Sequence, residues 1–318
     1  MRIFIAGATG AIGVPLLRNL VSKGHTVFGS TRSTASARMI ASLGGNPFLV
    51  DALDAKGVQS AITEAKPDVV VEQLTSLPKI NTPKARSESA AQHNRTRLEG
   101  GGNVHQAAIK AGAKRYIAQS SAFWCEPGVG LADESTPLAT KVKAPAVSAG
   151  ARTLLEVESR VLDTAEIEGI VLRYGFFYGP STWYAPDGST ASQVRAGTQP
   201  IIGSGKGVWS FVHIDDAAEA TVAAIESSAA GRAIYNITDH TPLEICDWLP
   251  AYARFLKAPV PPRLTEEEGR STLGEDAVFY ATQLRGASNR RAVCDLGFRP
   301  RQLAWAEFVR KRPNAHLI

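Results

Sequence analysis

The chain opens Met1-Arg-Ile-Phe-Ile-Ala-Gly7-Ala-Thr-Gly10-Ala-Ile-Gly13, and this opening restricts the possible folds more than any other stretch. Arg2 to Ala6 is a short apolar run of the kind a buried parallel strand requires. Gly7 then begins a tight turn. Gly10 lets backbone N–H groups approach a pyrophosphate, and Gly13 lets the next helix pack closely on the strand. That helix, residues 14–22, carries Leu16, Leu17, Leu20 and Val21 on one face, and Pro15 suits its first turn. Its N-terminus offers partial positive charge to phosphates. A glycine triplet alone is weak evidence, but here a second strand at residues 25–29 completes the required context. Gly7, Thr9, Gly10, Ala11, Ile12 and Gly13 are therefore expected to hold a dinucleotide.

The second strand runs into Ser30-Thr31-Arg32-Ser33. Sites specific for NAD place an acid about 20 residues beyond the glycines, on the ribose 2′-hydroxyl. No acid stands here. Arg32 can pair with a 2′-phosphate through charge-assisted hydrogen bonds, and Thr31 can add another. NADP(H) is favoured over NAD(H).

Strand and helix signals alternate through the first two-thirds of the chain. Residues 46–51, 68–73, 115–119 and 169–173 read as further strands, with helical stretches between them that include residues 94–111 and 151–164. That rhythm predicts an α/β fold, a Rossmann-type doubly wound parallel sheet, with ligands at the carboxyl ends of its strands. After Tyr178-Gly-Pro180 the rhythm breaks. Residues 1–175, with 212–240 returning, are expected to form the nucleotide domain; residues 176–211 and 241–318 form a smaller C-terminal substrate lobe.

A net charge of +5 with no Lys/Arg block excludes a nucleic-acid partner from the expectation. The apolar start is broken too early by glycine for a membrane span or signal peptide. Cys125, Cys246 and Cys294 are odd in number and widely spaced, which suits a reducing cytoplasm and neither a disulfide frame nor a metal site.

Several motifs together resemble the extended short-chain dehydrogenase/reductases of the NAD-dependent epimerase/dehydratase type. They are Gly7-Ala-Thr-Gly-Ala-Ile-Gly13, Asp51-Ala-Leu-Asp54, Gln119-Ser-Ser121, Leu172-Arg-Tyr-Gly-Phe-Phe-Tyr-Gly-Pro180 and Phe211-Val-His-Ile-Asp-Asp-Ala217. The likeness implies that Asp51 and Ala52 lie beside the adenine. It implies that Gln73, Leu74, Thr75, Gln119 and Ser120 line the nucleotide, and that Tyr174, Phe176 and Phe177 belong to the segment against the nicotinamide. Ser121 matches the serine that hydrogen-bonds the substrate's carbonyl or hydroxyl. Many relatives dimerise through helices at the positions of Asn94 and Ala151, so a homodimer is an expectation by analogy.

One departure governs the chemistry. The family's general acid is the tyrosine of a Tyr-x-x-x-Lys motif, and none of the seven tyrosines here has lysine four residues on. The corresponding helix is Pro145-Ala-Val-Ser-Ala-Gly-Ala-Arg-Thr-Leu-Leu-Glu-Val-Glu158. One alignment puts Ser148 and Arg152 at the two positions; another puts Gly150 and Leu154 there. Arg152 could hold a ribose or a carbonyl oxygen but is a permanent cation. Candidate replacement acids are Tyr184, in Ser181-Thr-Trp-Tyr-Ala-Pro186, then Tyr178, His213 or water.

Phe123, Trp124, Trp183, Tyr184 and Trp209 lie in segments that should converge as a substrate wall. Such a wall suits a flat, aromatic small molecule better than a sugar nucleotide, and Lys206 is the one evident cation for a diphosphate. The leading expectation is an NADPH-dependent oxidoreductase, a carbonyl reductase acting on a hydrophobic or aromatic polycyclic molecule without the Tyr–Lys pair. A nucleotide-sugar epimerase/dehydratase and a non-catalytic NADP-binding sensor or scaffold are the alternatives.

Overall fold

The computed structural model describes residues 1–228 and 231–309. Its centre is a seven-stranded sheet in the order β11-β6-β5-β4-β1-β2-β3. The strands are β1 (Arg2–Ala6), β2 (Thr26–Thr31), β3 (Asn46–Leu49), β4 (Val69–Glu72), β5 (Arg115–Ser121), β6 (Glu168–Tyr174) and, later in the chain, β11 (Ala233–Ile237). Every pairing in the sheet is parallel. The strand order reverses between β1 and β4, and their carboxyl ends open the crevice where such sheets bind ligands.

Helices cover both faces. These are α1 (Gly13–Ser22), α2 (Thr34–Ser42), α3 (Ala55–Ala65), α4 (Pro83–Arg95), α5 (Gly101–Lys110) and α6 (Pro145–Leu162), with α8 (Ile214–Glu226) following α7 (Ser189–Arg195). Alternation along the strands divides the core in two. Ile3, Ile5, Val71, Ile117 and Leu172 face α1 and α8, while Phe4, Val70, Tyr116 and Val171 face α3, α5 and α6. The observed strands match the expected ones within two residues at each end.

The expected helix at residues 94–111 is the later part of a longer run. α4 precedes it, and a π-helical turn, Thr96–Gly100, joins α4 to α5. No residue of α4 is buried, so it has no apolar period to read. Its start was nonetheless written locally. Thr82 accepts from the Ala85 amide, and Pro83 occupies the first turn.

A third apolar core gathers segments from the part of the chain expected to form the lobe. β7 (Phe176–Tyr178) pairs with β10 (Phe211–His213), β8 (Ile201–Ile202) with β13 (Arg263–Leu264), and β9 (Val208–Trp209) with β12 (Leu243–Glu244). α9 (Ile245–Phe255), α10 (Glu266–Leu273), α11 (Glu275–Thr282) and α12 (Arg290–Leu296), with a 3₁₀ turn at Ala306–Phe308, complete the helices of the described residues. The lobe core is rich in rings: Tyr178, Tyr184, Trp209, Phe211, Trp248, Tyr252, Phe279 and Trp305. Residues 310–318 of the expected lobe lie outside the described residues. Among those described, no helix is long and apolar enough to cross a membrane.

Candidate active site

The crevice has one wall made mostly of backbone. Gly7 has φ +92°, and a Cβ there would sit 2.6 Å from the Gln73 carbonyl oxygen. At Gly13 it would sit 2.3 Å from the Gly7 carbonyl oxygen. Both positions therefore require glycine for close approach. Gly10 is exposed to the crevice, flanked by half-buried Thr9 and Ala11, while Ile12 turns into the core. No side chain caps α1; the Val14 and Leu16 amides already donate to the Gly10 and Ile12 carbonyls and Pro15 has none, which leaves the Gly13 amide of the first turn for a ligand. At the end of β2, Thr31 is buried and Arg32 is exposed, with no hydrogen bond or ion pair among the described residues. Ser33 caps α2 by accepting from the Ser36 amide. Asp51 is exposed and accepts from the Leu53 amide at 2.9 Å. The neighbouring Ala52 carbonyl accepts from Asn103.

The floor lies at the ends of β4 to β6. Gln73 is buried, and its Nε2 donates to the Tyr174 hydroxyl at 3.2 Å. Tyr174 lies 2.7 Å from the Thr221 hydroxyl, which in turn donates to the Ala217 carbonyl. Tyr174 is therefore enclosed in a network beneath the crevice, and burial pushes its phenol up to about 12. Gln73 Oε1 has no partner among the described residues. Leu74 is buried, and Thr75 and Gln119 are half-buried.

Ser120 and Ser121 diverge, as successive strand residues must. The Ser120 hydroxyl donates to Glu158 Oε1 at 2.6 Å, beneath α6, so its side chain is turned from the crevice. Glu158 also receives Arg173 through both Nε and Nη2, at 2.8 and 2.6 Å. Ser121 is 8% exposed, and its hydroxyl makes no hydrogen bond among the described residues.

The other wall is made of side chains. Phe123 stacks on Phe176 at 4.1 Å, and Phe176 stacks on Trp209 at 4.1 Å. Trp124 packs over Gly150, where a Cβ would lie 2.3 Å from its ring, and its Nε1 donates to the Tyr280 hydroxyl at 2.8 Å. Trp183 Nε1 donates to the Pro78 carbonyl, and Phe177 packs against Tyr174. The expected aromatic segments thus meet. Tyr280, from distant α11, joins them at 5.7 Å from Trp209; no local pattern in the sequence pointed to it.

The residues in line to replace the tyrosine are otherwise engaged. Ser148 donates to the Thr140 carbonyl at 2.5 Å, and Arg152 Nη1 bridges the same carbonyl and the Ser148 hydroxyl at 2.9 and 2.7 Å. Tyr184 is 6% exposed within the lobe core, beside Phe211 and Trp248, and burial raises its phenol far above the usual range. Burial, with the Asp239 and Asp216 charges, raises Tyr178 as well. Burial and the Arg301 charge lower His213, whose Nδ1 accepts from the Asp215 amide. Lys206 is exposed.

Two residues absent from the sequence reading brace the floor. Arg97, in the π turn, is buried and donates to the Gln119 carbonyl at 3.0 Å and to His93 Nε2 at 3.1 Å. The Ser76 amide meets His93 Nδ1 at 3.1 Å. A neutral imidazole accepts at one nitrogen only, so one of these two donors is satisfied by the ring, and a doubly protonated ring would satisfy neither. Burial, then the Arg97 charge, hold His93 down at about 3. π turns recur at functional sites, but nothing in the surrounding residue pattern marked this one.

A profile of the NAD dependent epimerase/dehydratase family matches residues 3–238. A "3-diazoavenalumate denitrifying reductase" from a Streptomyces species is 41% identical over 308 residues, covering 96% of this chain and 98% of the relative. A "4-hydroxy-2-methyl-3-oxo-4-farnesyl-3,4-dihydroquinoline-1-oxide ketoreductase" from Stigmatella aurantiaca is 28% identical over 255 residues, covering 78% and 71%. A solved UDP-glucose 4-epimerase from Thermotoga maritima, crystallised with UDP-glucose, superposes with a TM-score of 0.73 at 18% identity, covering 97% and 96%. That last likeness shows the fold. The chain belongs to the NAD dependent epimerase/dehydratase family, and is an NAD(P)-dependent oxidoreductase of the short-chain dehydrogenase/reductase superfamily.

Proposed function

We propose that the protein is an NADPH-dependent reductase of a flat aromatic small molecule, acting where the product needs no proton from the protein. One observation supports this reading: among the described residues, the groups expected to supply an acid are committed elsewhere or held far from titration, and burial raises the Tyr280 phenol among the rings as well. Ser148 is tied to Thr140, Arg152 is a permanent cation, and the Tyr178 and Tyr184 phenols are pushed up. His93 stays neutral. The glycine turn, the uncapped α1 and unpaired Arg32 fit a dinucleotide bearing a 2′-phosphate. Phe176 is already stacked on both sides, by Phe123 and Trp209, so of these three rings the half-buried Phe123 is the one that would offer a face to an acceptor ring.

The cofactor, when bound, supplies a hydride. A ketone receiving it becomes an alkoxide that must be protonated. An arenediazonium needs no proton: the hydride becomes the new C–H bond, and the C–N electron pair leaves with dinitrogen. The Streptomyces relative, named for a diazo substrate, supports the second case. Carbonyl reduction is the alternative, supported by the Stigmatella ketoreductase and by the uncommitted Ser121 hydroxyl, with the proton coming from water or from the substrate's own hydroxyl. A nucleotide-sugar reaction has less support, because a ring-lined slot without a base suits it poorly.

The test pairs the purified protein and C4-deuterated NADPH with benzenediazonium salts and with 2-acetonaphthone. The expected result is NADPH oxidation with the diazonium, dinitrogen release, and deuterium in the arene. Deuterium appearing only in the carbinol would select carbonyl reduction. No oxidation with any aromatic acceptor would contradict the reductase reading.

A further inference from the structure

The segment between β4 and α4 runs from the glycine turn to α7. Its root is packed on the turn. The Gln73 amide donates to the Ala6 carbonyl at 2.8 Å, and the Gln73 carbonyl oxygen is the atom that a Cβ at Gly7 would approach to 2.6 Å. Its far end is bound to α7 and the residues before it. The Asn81 amide donates to the Ser189 hydroxyl at 3.0 Å, its Nδ2 to the Thr190 hydroxyl at 3.2 Å, and its carbonyl accepts from Gln193 Nε2 at 2.8 Å. Trp183 Nε1 donates to the Pro78 carbonyl at 3.0 Å. Oδ1 of Asn81 accepts from Arg86 Nη1 at 2.6 Å, so every polar atom of this asparagine is engaged. Thr190 is buried, and Ala191 and Val194 of the same helix lie in the third core, which makes α7 a fixed post.

We infer that residues 76–82 form a strap across the nucleotide crevice, clasped to α7 by Asn81, and that the strap must unclasp for the dinucleotide to enter or leave. The inference rests on nucleotide binding at the glycine turn and on nothing said of the acceptor. What lies between the two anchored ends buries little. Leu77 and Ile80 are 52% and 58% exposed, and no residue of α4 is buried. The closed position is therefore held by hydrogen bonds that water can replace, and opening would expose little further apolar surface. Bending points stand at both sides. One is the end of β4. The other is the π turn at Thr96–Gly100, since helices bend where the regular ladder is interrupted. Beyond that turn the chain is fixed again, because buried Arg97 holds the Gln119 carbonyl at 3.0 Å. A gate of this kind slows entry and departure together, whereas a residue that only touches the ligand slows departure alone.

The experiment is stopped-flow binding of NADPH to the whole protein, followed by tryptophan quenching, with departure measured by displacement with excess NADP⁺. Asn81→Ala should raise the association and dissociation rates together by about threefold to tenfold, as the loss of one or two hydrogen bonds allows, with affinity changed by less than about twofold. Ser189→Ala combined with Gln193→Ala cuts the clasp from the α7 side and should do the same. In both variants amide hydrogen exchange over residues 76–82 should quicken. Rates that stay at the wild-type values in both variants overturn the gate and leave nucleotide binding intact. Faster departure alone, with affinity lost in proportion, overturns it too, since that marks a ligand contact. Unaltered exchange over the strap would show that Asn81 does not hold it closed and would overturn the clasp. If the wild type binds neither NADPH nor NADH, the crevice reading fails and the gate fails with it.

Discussion

The two walls of the cleft are built on different principles. The glycine wall is backbone: a Cβ added at Gly7 or Gly13 would sit 2.6 or 2.3 Å from a carbonyl oxygen, and the wall's ligand groups are N–H donors that every residue but proline carries. The α6 and lobe wall is side chain: stacked rings, a hydroxyl and an arginine tied to Thr140, and phenols pushed out of titration range. A wall made of backbone tolerates drift in the residues around it. A wall made of side chains can exchange an acid for an apolar surface while the scaffold stays put. Here the first wall keeps the close approaches that only glycine allows, and the second sets packed rings beside an α6 whose Ser148 and Arg152 are turned to the Thr140 carbonyl.

The sharpest way to break the comparison is to cut what holds α6 to the sheet. Glu158→Ala leaves Arg173 buried without its partner and frees Ser120, and should cost about 3–5 kcal/mol of stability in urea denaturation. A loss below about 1 kcal/mol would mean that this wall does not depend on the buried pair. On the other wall, Gly13→Ala drives a methyl into the Gly7 carbonyl. It should lower stability by about 1–3 kcal/mol and abolish NADPH binding even where the protein still folds. Arg32→Glu should leave stability alone and weaken NADPH about a hundredfold, with NADH little changed, as measured by nicotinamide fluorescence. Equal effects on both cofactors would remove the 2′-phosphate assignment.

The smallest effect concerns pH. His93 is held at about 3 in the folded chain against 6.5 when free, so below 6.5 the unfolded chain binds the extra proton. Its contribution to stability is complete above 6.5 and is lost as pH falls toward about 3. In His93→Gln this part of the acid slope should disappear, measured as the change in denaturation midpoint between neutral and mildly acid pH. An unaltered slope would mean that His93 is not held neutral.

How far the sequence reached follows the same division. The parallel sheet, its order of elements and the glycine turn were legible because burial forces apolar runs and close approach forces glycine. The meeting of Phe123, Phe176 and Trp209 was legible through family motifs that converge at the strand ends. α4 was not, since a helix that buries nothing carries no period. Arg97 and His93 were not, because their roles depend on a π turn that shifts the helix register by a residue. Tyr280 reaches the slot from α11, more than a hundred residues after Phe176 in sequence, and only packing brings it there. For Ser148 and Arg152 the sequence left the register open. The structure shows both side chains turned to the Thr140 carbonyl, which no residue pattern foretells.

The most direct test of the central claim is the solvent isotope effect on a single turnover, with enzyme, NADPH and an aromatic diazonium mixed in H₂O and in D₂O. If the protein contributes no proton to the hydride step, the two rates should agree within error. A rate at least about twofold lower in D₂O would reveal a proton in flight and contradict the claim that this cleft works without an acid.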